Sequence, residues 1–266
     1  MCDPLGLAAR GRISLAEVLA AAPATTRVDR KYFVGVDVAR AFVDRAPASL
    51  RLLTIDGRLT TSYLSTYFDT PDLTTCRAHV QQRRLRWKAR SRLYVEDGLC
   101  RLELKVRDGS GLTRKHFHPT DAADYGHLRP ESEEFIHQQL HALGLPPASA
   151  LEPAVEVRYR RATLADPDTG ARVTIDFGVR GTRHGHTVEV DAGRLIMETK
   201  GGRIPGVADR LLTQLGARPA SFSKYVASAS LMDARIPDND VRHLVGRELR
   251  LTTATSQPLE SLRRTA

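Results

Sequence analysis

The sequence predicts an α+β fold, a closed antiparallel β-barrel with a polar interior and flanking helices. Nine segments are predicted as strands, and several of them alternate polar and apolar residues with a period of two, as strands with one polar face do. Turn signals such as Asp97-Gly98 and Asp108-Gly109 lie between them and favour antiparallel hairpins. Several strands carry arginine or lysine together with glutamate on the polar face. A closed, water-filled barrel explains this better than an open surface sheet does.

The predicted strands fill most of the chain between residues 27 and 233. Segments joined by a turn dipeptide are expected to pair as antiparallel neighbours. Within each strand the apolar side chains share one face, and that face is expected to be buried. The predicted strands are residues 27–34, 60–68, 85–95, 100–107, 113–118, 155–163, 172–177, 187–190 and 194–200.

Helices are predicted between the strands and after the last of them. Residues 131–143 and 207–215 each end before a glycine, which readily takes the left-handed cap conformation. Another helix is predicted at residues 37–46. A last helix is expected to start near Ser223, because a serine hydroxyl can cap the first turn.

The chain divides into three parts on this reading. Residues 27–233 form the barrel domain, preceded by a leader at residues 1–26. A polar, arginine-rich tail follows at residues 234–266. A capping-box spacing that begins at Ser14 predicts one short helix in the leader. A further helix is predicted inside the tail, at residues 240–251.

Composition restricts the class of protein and of partner. The 266 residues are 41% hydrophobic, which is typical of a globular domain. The formal net charge of +9 indicates a polyanionic partner: nucleic acid, polyphosphate, nucleotide or anionic membrane. The three cysteines show no CxxC spacing, so neither a disulfide framework nor a structural zinc site is expected. A cytoplasmic location is expected, because its reducing conditions suit free cysteines. No apolar run reaches the roughly 20 residues of a membrane helix.

The lysines are the most selective feature of the composition. The chain has 34 arginines and six lysines. A coding bias toward arginine would replace any lysine needed only for surface charge, so each remaining lysine is a candidate for a site that needs a compact, mobile cation. Inside a folded domain, a ring of such cations suits a chain of phosphates. The six are Lys31, Lys88, Lys105, Lys115, Lys200 and Lys224.

The most specific stretch runs from Arg84 to Tyr94. With a period of two, its five cations share one face, and an apolar face that includes Trp87 lies opposite. Because the apolar face must be buried, the cationic face lines either solvent or a polar cavity. The cavity is favoured because other strands repeat the scheme with acids mixed in.

Four further strands show this mixture of acids and bases, at residues 100–107, 155–163, 172–177 and 194–200. Glu103 lies among the cations of residues 100–107. In residues 155–163 the alternation is expected to turn Glu156, Arg158 and Arg160 inward.

The carboxylates among these cations predict a divalent metal. An acid in an anion site is useful when a cation bridges it to phosphate, and hard oxygen ligands suit Mg²⁺ or Mn²⁺. Glu198 is the first predicted ligand and Glu103 the second. For each, a salt bridge inside the barrel is the alternative.

Several short motifs occur in order between residues 27 and 230: Asp29-Arg-Lys31-Tyr32, Tyr67-Phe-Asp-Thr-Pro71, Lys88-x-Arg90-x-Arg92-x-Tyr94, Glu103-x-Lys105, Tyr159-x-Arg161, Arg172-x-Thr-x-Asp176, Glu198-x-Lys200 and Phe222-Ser-Lys224-Tyr225. Each motif is weak alone. Their order and spacing resemble the VTC polyphosphate-polymerase domain of the CYTH, or triphosphate tunnel, superfamily.

The resemblance implies a fold and an activity. In that superfamily a strand tunnel holds a triphosphate with basic residues, and a glutamate holds Mn²⁺ or Mg²⁺. Its polymerase members transfer the γ-phosphate of ATP onto a polyphosphate chain that threads the tunnel. The resemblance therefore implies the triphosphate tunnel fold, with ATP and inorganic polyphosphate as ligands.

The cationic candidates are assigned to two roles. In the strand at residues 155–163, the resemblance implies that Arg161 contacts phosphate. Local alternation instead predicts that Arg158 and Arg160 face inward. Phosphoryl transfer is assigned to Lys88, Arg90, Arg92, Lys105, Arg161, Arg172 and Lys224. Binding of the ATP cofactor is assigned to Lys31, Lys115, Arg158 and Lys200.

One motif departs from the superfamily pattern. The opening acidic-x-acidic-x-Lys pattern reads Arg27-Val-Asp29-Arg-Lys31 here, so arginine replaces the first acid. This disfavours a second metal site and, with it, simple triphosphate hydrolysis.

The leading hypothesis is a metal-dependent polyphosphate polymerase. The first alternative is a tripolyphosphatase or nucleoside triphosphatase, in which water replaces the phosphate acceptor. The second is a non-catalytic module that binds polyphosphate or inositol phosphates. A nucleic-acid binder is not expected, because the aromatic residues mostly fall on apolar faces rather than on an exposed stacking surface.

Overall fold

The computed structural model describes residues 3–21, 28–110, 112–146, 148 and 150–253. Within these ranges the protein is an α+β fold built on one large, mostly antiparallel sheet of thirteen strands. The strands are β1 (Arg12–Ile13), β2 (Val28–Gly35), β3 (Arg51–Leu53), β4 (Thr61–Asp69), β5 (Arg86–Tyr94), β6 (Leu99–Arg107), β7 (Thr113–Thr120), β8 (Glu152–Ala165), β9 (Arg172–Arg183), β10 (His186–Val190), β11 (Arg194–Gly201), β12 (Pro219–Ala220) and β13 (Leu249–Thr253).

Six α-helices accompany the sheet in the described part of the chain. Short 3₁₀ turns lie at Leu7–Ala9, Val95–Asp97, Ala122–Asp124 and Arg242–Leu244. The α-helices are α1 (Leu15–Ala20), α2 (Val36–Arg45), α3 (Thr74–Val80), α4 (Pro130–His141), α5 (Val207–Gln214) and α6 (Lys224–Met232).

The strand order explains how distant parts of the chain meet. The main path runs β12-β2-β11-β9-β8-β4-β5-β6-β7, with β3 beside β8 and β10 beside β9 and β13. Side chains from β2, β5, β6, β7, β8 and β11 line one cavity, so the sheet curls around a common interior. The large antiparallel sheet is confirmed, and the path ends at β12 and β7.

Two apolar clusters cover the outside of the curled sheet. In one, alternate residues of β2, β8, β9 and β11 pack against α2 and α5, with Tyr32 and Phe42 fully buried. In the other, Ala89, Leu102 and Leu104 pack against α4. Because strand side chains alternate between faces, burying these residues outside turns their charged neighbours inward.

A third cluster fills part of the interior. Helix α6 runs along β8 and β9, and its Tyr225 packs with Val155 and Val157 of β8. The contact with β9 is close at Gly181, where an added Cβ would lie 2.0 Å from Oγ of Ser228. Residue 181 therefore has to be glycine for α6 to sit this deep.

Most predicted elements are confirmed. The predicted helices at residues 37–46, 131–143 and 207–215 are α2, α4 and α5, and α6 starts directly after Ser223. In the leader, the capping box of α1 is formed between Ser14 and Glu17.

The helix predicted at residues 240–251 is wrong. This stretch forms a 3₁₀ turn and then β13, which pairs with β10. Its apolar residues Val241, Leu244 and Leu249 are buried in the interior cluster, so tertiary packing overrides the helical pattern. In the part of the chain that the structure describes, no helix has the length and apolarity needed to cross a membrane.

Candidate functional site

A cavity of about 170 Å³, here called the central cavity, lies inside the curled sheet. All six lysines of the chain line it, although they come from six different elements and are spread over 194 positions of sequence (31 to 224). Its described lining has nine cationic side chains and three carboxylates. The lining residues are Asp29, Lys31, Tyr67, Lys88, Arg90, Arg92, Glu103, Lys105, Lys115, Tyr159, Arg161, Glu198, Lys200, Ser223 and Lys224.

The alternation of side chains along β5 places three of these cations in the central cavity. Lys88, Arg90 and Arg92 face the cavity, while Ala89 between them is fully buried on the outer face under α4. Arg84 lies outside the strand, and Arg86 lines a neighbouring cavity. Of the five cations predicted to face inward, the last three, Lys88, Arg90 and Arg92, therefore do so in the central cavity.

Glu103 of β6 is held between two arginines of β5. Nε of Arg90 donates to Oε2 of Glu103 at 2.8 Å, and Nη1 of Arg92 lies 3.5 Å from Oε1. Burial alone would raise the pKa of Glu103, but Arg90 and Arg92 outweigh it and lower the pKa to about 2. Both carboxylate oxygens are thus engaged by guanidinium groups, which favours the salt-bridge reading of Glu103 over the metal-ligand reading.

Asp176 of β9 anchors two further cations. Its carboxylate accepts from Arg161 at 2.6 Å and 2.9 Å and from Nζ of Lys224 at 2.5 Å. Although burial would raise the pKa of Asp176, Arg161 and Lys224 lower it to about 2. This fully buried carboxylate therefore orients one cation from β8 and one from α6 toward the cavity.

Glu198 of β11 lies in a different electrostatic setting. It is directly opposite Lys31 of β2, and the ammonium of Lys200 contacts its Oε1. Burial opposes ionisation of Glu198, but Lys200, Lys31, Arg161 and Lys224 hold its pKa well below the ordinary value. Glu198 is therefore an ionised carboxylate at the wall of the cavity.

Burial opposes the protonated form of two further lysines of the cavity. Burial, followed by the charges of Lys105, Lys31 and Arg90, lowers the pKa of Lys88 well below its ordinary value. Burial also lowers the pKa of Lys105. A polyanion in the cavity would supply the negative charge that favours the protonated form of both groups.

Two tyrosines belong to the site and were not among the predicted site residues. The hydroxyl of Tyr67 accepts from Arg90 at 2.7 Å, and that of Tyr159 accepts from Arg92 at 3.0 Å. The ammonium of Lys224 lies 4.9 Å from the centre of the Tyr159 ring. Such contacts fix long cationic side chains. For Tyr159, the arginine two positions later, Arg161, is a sequence signal that could have identified it.

Helix α6 is held in place by a buried carboxylate. Asp69 accepts hydrogen bonds from the backbone of Thr75 and Cys76 in α3 and from the hydroxyl of Tyr225 in α6. The ring of Tyr225 stacks on that of Tyr67 at 4.6 Å. These contacts position the first residue of α6, Lys224, at the cavity wall.

Two predicted site residues, Arg158 and Arg172, lie outside the lining of the central cavity. Arg158 does not line the central cavity, and the expectation that Glu156, Arg158 and Arg160 face inward is wrong. Val155 and Val157 of β8 pack inward against α6, so the charged neighbours point outward. Arg161 faces the cavity.

A β-bulge accompanies this arrangement. Arg158 pairs with Arg180, but Arg160 pairs with Phe177, so β9 carries one extra residue, at a point where Gly178 has a φ of 56°.

Arg172 lines a neighbouring cavity instead of the central one. Its Nη2 donates to the backbone carbonyl of Val18 at 2.7 Å. This neighbouring cavity has a volume of about 510 Å³ and is lined by residues of β9, β11 and α5 and of the loops before β3, before β9 and after β11. Lys200 lines both cavities, so Arg172 is adjacent to the central site without being part of it.

The carboxylates fit a metal that is held mainly by its substrate. No cluster of three or more His, Cys, Asp or Glu side chains is placed to bind a metal among the described residues. Glu198 and Asp29 do line the central cavity from adjacent strands. Mg²⁺ commonly uses one or two carboxylates together with phosphate oxygens and water. A divalent ion at Glu198 would have to displace the ammonium of Lys200.

The comparison with protein families identifies the family of this chain. The sequence model of the VTC domain family matches residues 26–233. Among solved structures, the chain is similar to the putative adenylyl cyclase HpAC1 from Hippeastrum, described as having a dominant triphosphatase activity, at 16% identity over 77% of this chain and 96% of that chain, with a TM-score of 0.49. It is also similar to the PH1819 protein from Pyrococcus horikoshii OT3, at 12% identity over 78% and 97%, with a TM-score of 0.42. The comparison with curated proteins found no match.

Proposed function

The chain belongs to the VTC domain family, and we propose that it is a metal-dependent polyphosphate polymerase that moves the γ-phosphate of ATP onto a polyphosphate chain. The observation that carries the proposal is the charge of the central cavity, where nine described cations, including every lysine, face three carboxylates. Such an excess suits a polyanion held along its length. The proposed catalytic unit is residues 27–233, and we propose that the sheet closes between its ends at β7 and β12 to enclose a tunnel.

The proposed chemistry is a transfer between two phosphates. An oxygen of the terminal phosphate of the acceptor bonds to the γ-phosphorus of ATP, and the bond to the β,γ-bridging oxygen breaks, so that ADP leaves. A terminal phosphate is largely ionised near neutral pH, so no side chain has to remove a proton. The protein contributes position and charge neutralisation, as expected for a loose phosphoryl transition state.

Arginine and lysine side chains are proposed to contact the phosphates in different ways. The guanidinium forks of Arg90, Arg92 and Arg161 suit bidentate contacts to phosphate oxygens. The lysines, among them Lys31 and Lys224, act as mobile point charges that follow the phosphates. Glu198 would hold Mn²⁺ or Mg²⁺, which when bound neutralises charge on the phosphate oxygens.

Incubation with ATP and Mn²⁺ tests the proposal, with products separated by size on a gel stained for polyphosphate. Long polyphosphate chains and ADP are the expected products. Release of inorganic phosphate without chains would instead identify a nucleoside triphosphatase. Tight, salt-sensitive binding of polyphosphate with no turnover would identify a binding module. Either outcome rejects polymerase activity.

A further inference from the structure

A buried carboxylate on the outside of the curled sheet ties helix α5 to strands β2 and β11. Asp209, in the first turn of α5, is 4% exposed and is not part of the described lining of the central cavity. Its Oδ1 accepts hydrogen bonds from the hydroxyl of Tyr32 on β2 at 2.8 Å and from that of Thr199 on β11 at 2.6 Å. Its Oδ2 accepts from the backbone amide of Gly206 at 2.8 Å and lies 3.5 Å from Nη1 of Arg30 on β2. Asp209 therefore connects two strands with the start of a helix.

The strand register places this carboxylate directly behind one wall of the central cavity. Thr199 and Arg30, which both contact Asp209, lie opposite each other in the antiparallel pair of β11 and β2. On either side of them is a pair of charged residues that line the central cavity, because successive side chains of a strand point to opposite faces. These two pairs are Glu198 with Lys31 and Lys200 with Asp29.

This wall carries two of the three carboxylates in the described lining of the central cavity, Glu198 and Asp29. A divalent ion that uses one or two carboxylates beside phosphate oxygens needs them in a fixed arrangement. The strand ladder gives limited support here, because β11 is followed by Gly202 and glycine restricts the backbone least. Arg30 donates to the carbonyl of Gly202 at 3.2 Å, which fixes the chain just past the end of β11. The contacts of Asp209 and Arg30 thus supply order where the ladder ends.

We propose that Asp209 is a positioning residue for metal binding, which sets the arrangement of Glu198 and Asp29 through its hydrogen bonds to Thr199 and Tyr32. This inference rests on the proposed function, because it concerns the metal that Glu198 would hold. Asp209 acts from the opposite face of the sheet and touches neither metal nor phosphate. The hydroxyl of Tyr32 stays a donor at neutral pH, because burial and the contact with Asp209 raise its pKa to about 12.

Two substitutions at Thr199 test the inference, because they separate the hydrogen bond to Asp209 from side-chain packing. Thr199→Val keeps the shape and removes the hydroxyl, whereas Thr199→Ser keeps the hydroxyl and removes a methyl group. Mn²⁺ is titrated calorimetrically into the 1:1 complex of protein and tripolyphosphate. Thr199→Val is expected to raise the Kd for Mn²⁺ about tenfold, as is typical when a group that orients metal ligands is lost. Thr199→Ser is expected to raise it less than about twofold.

A second variant makes the test independent of how well Thr199→Val folds. Tyr32→Phe removes the other hydroxyl that donates to Oδ1 of Asp209, and it is expected to raise the Kd for Mn²⁺ in the same direction. The Kd for tripolyphosphate without metal should change less than about threefold in every variant, because Arg90, Arg92 and Arg161 lie on other strands. A purely structural role of Asp209 would lower the melting temperature and leave the Kd for Mn²⁺ unchanged.

The matched control is Thr213→Val on α5. The hydroxyl of Thr213 donates to the backbone carbonyl of Asp209 at 2.9 Å and not to its carboxylate. This variant therefore undergoes the same chemical change beside the same residue, but the contacts to β2 and β11 remain. Its Kd for Mn²⁺ should stay within about twofold of the wild-type value.

The outcomes separate this inference from the proposed function. If the wild type binds Mn²⁺ with tripolyphosphate and neither Thr199→Val nor Tyr32→Phe weakens Mn²⁺ binding, Asp209 is not a positioning residue and the proposed function stands. Equal weakening in Thr199→Val and Thr199→Ser also rejects the inference, because packing and not the hydrogen bond would then be responsible. Failure of the wild type to bind Mn²⁺ and tripolyphosphate rejects both proposals.

Discussion

Glu198→Gln is expected to lower Mn²⁺-dependent turnover of ATP by more than about 100-fold. The substitution keeps the size of the side chain and removes the charge that would bind the metal. A bound divalent ion contributes several kcal/mol of transition-state stabilisation, and each 1.36 kcal/mol changes the rate about tenfold. The measurement is initial rate as a function of Mn²⁺ concentration.

The control for this prediction is Glu189→Gln on β10. Glu189 accepts from Arg180 at 2.6 Å and does not line the central cavity, so this variant should retain wild-type turnover. Circular dichroism and the melting temperature are recorded for both proteins. A Glu198→Gln protein that is folded and turns over ATP at the normal rate contradicts the assignment of Glu198 as the metal ligand.

Asp176→Ala is expected to reduce the free energy of unfolding by about 3–5 kcal/mol, because it leaves two buried cations without their carboxylate. Arg161 and Lys224 both contact Asp176, which is fully buried. Tripolyphosphate is expected to restore part of the loss, because it returns negative charge to the same two cations. Urea unfolding with and without tripolyphosphate measures both effects.

The same residue predicts an acid dependence of stability. The pKa of Asp176 lies near 2 in the folded protein, below the ordinary 3.8, so the carboxylate binds protons more weakly in the folded state. Its contribution is therefore fully present above about pH 4 and is lost as the pH falls toward 2. The difference in stability between wild type and Asp176→Ala should shrink across this range.

Asp238→Ala provides the comparison for both experiments. Asp238 pairs with the exposed side chain of Arg242 at the surface, where one ion pair contributes about 0–1 kcal/mol. If Asp176→Ala were no more destabilising than Asp238→Ala, the buried network of Asp176 would not stabilise the fold as described.

The sequence predicts the site well where strand alternation and burial agree. On β5 and β6, alternate residues are apolar, α4 covers them, and the charged residues between them necessarily face inward. The unusual retention of lysine also identifies a real feature, because all six lysines line the central cavity. Alternation and composition can both be read from the sequence alone, so they can predict the site before the fold is known.

The sequence fails where an element packs inside the curled sheet. On β8 the valines face α6 in the interior, so the apolar face is the inner one, and alternation alone could not show this. Helix α3 was not predicted, because its N-terminal amides are capped by Asp69, six or seven residues earlier, rather than by an adjacent residue. These features depend on tertiary contacts between distant segments.

The central claim is that the central cavity holds a chain of phosphates. A crystal structure of the protein soaked with tripolyphosphate tests it most directly. The account predicts phosphate density inside the curled sheet, with oxygens within hydrogen-bonding distance of Arg90, Arg92 and Arg161. Tripolyphosphate bound only on the outer surface, with the central cavity holding none of it, would contradict the claim.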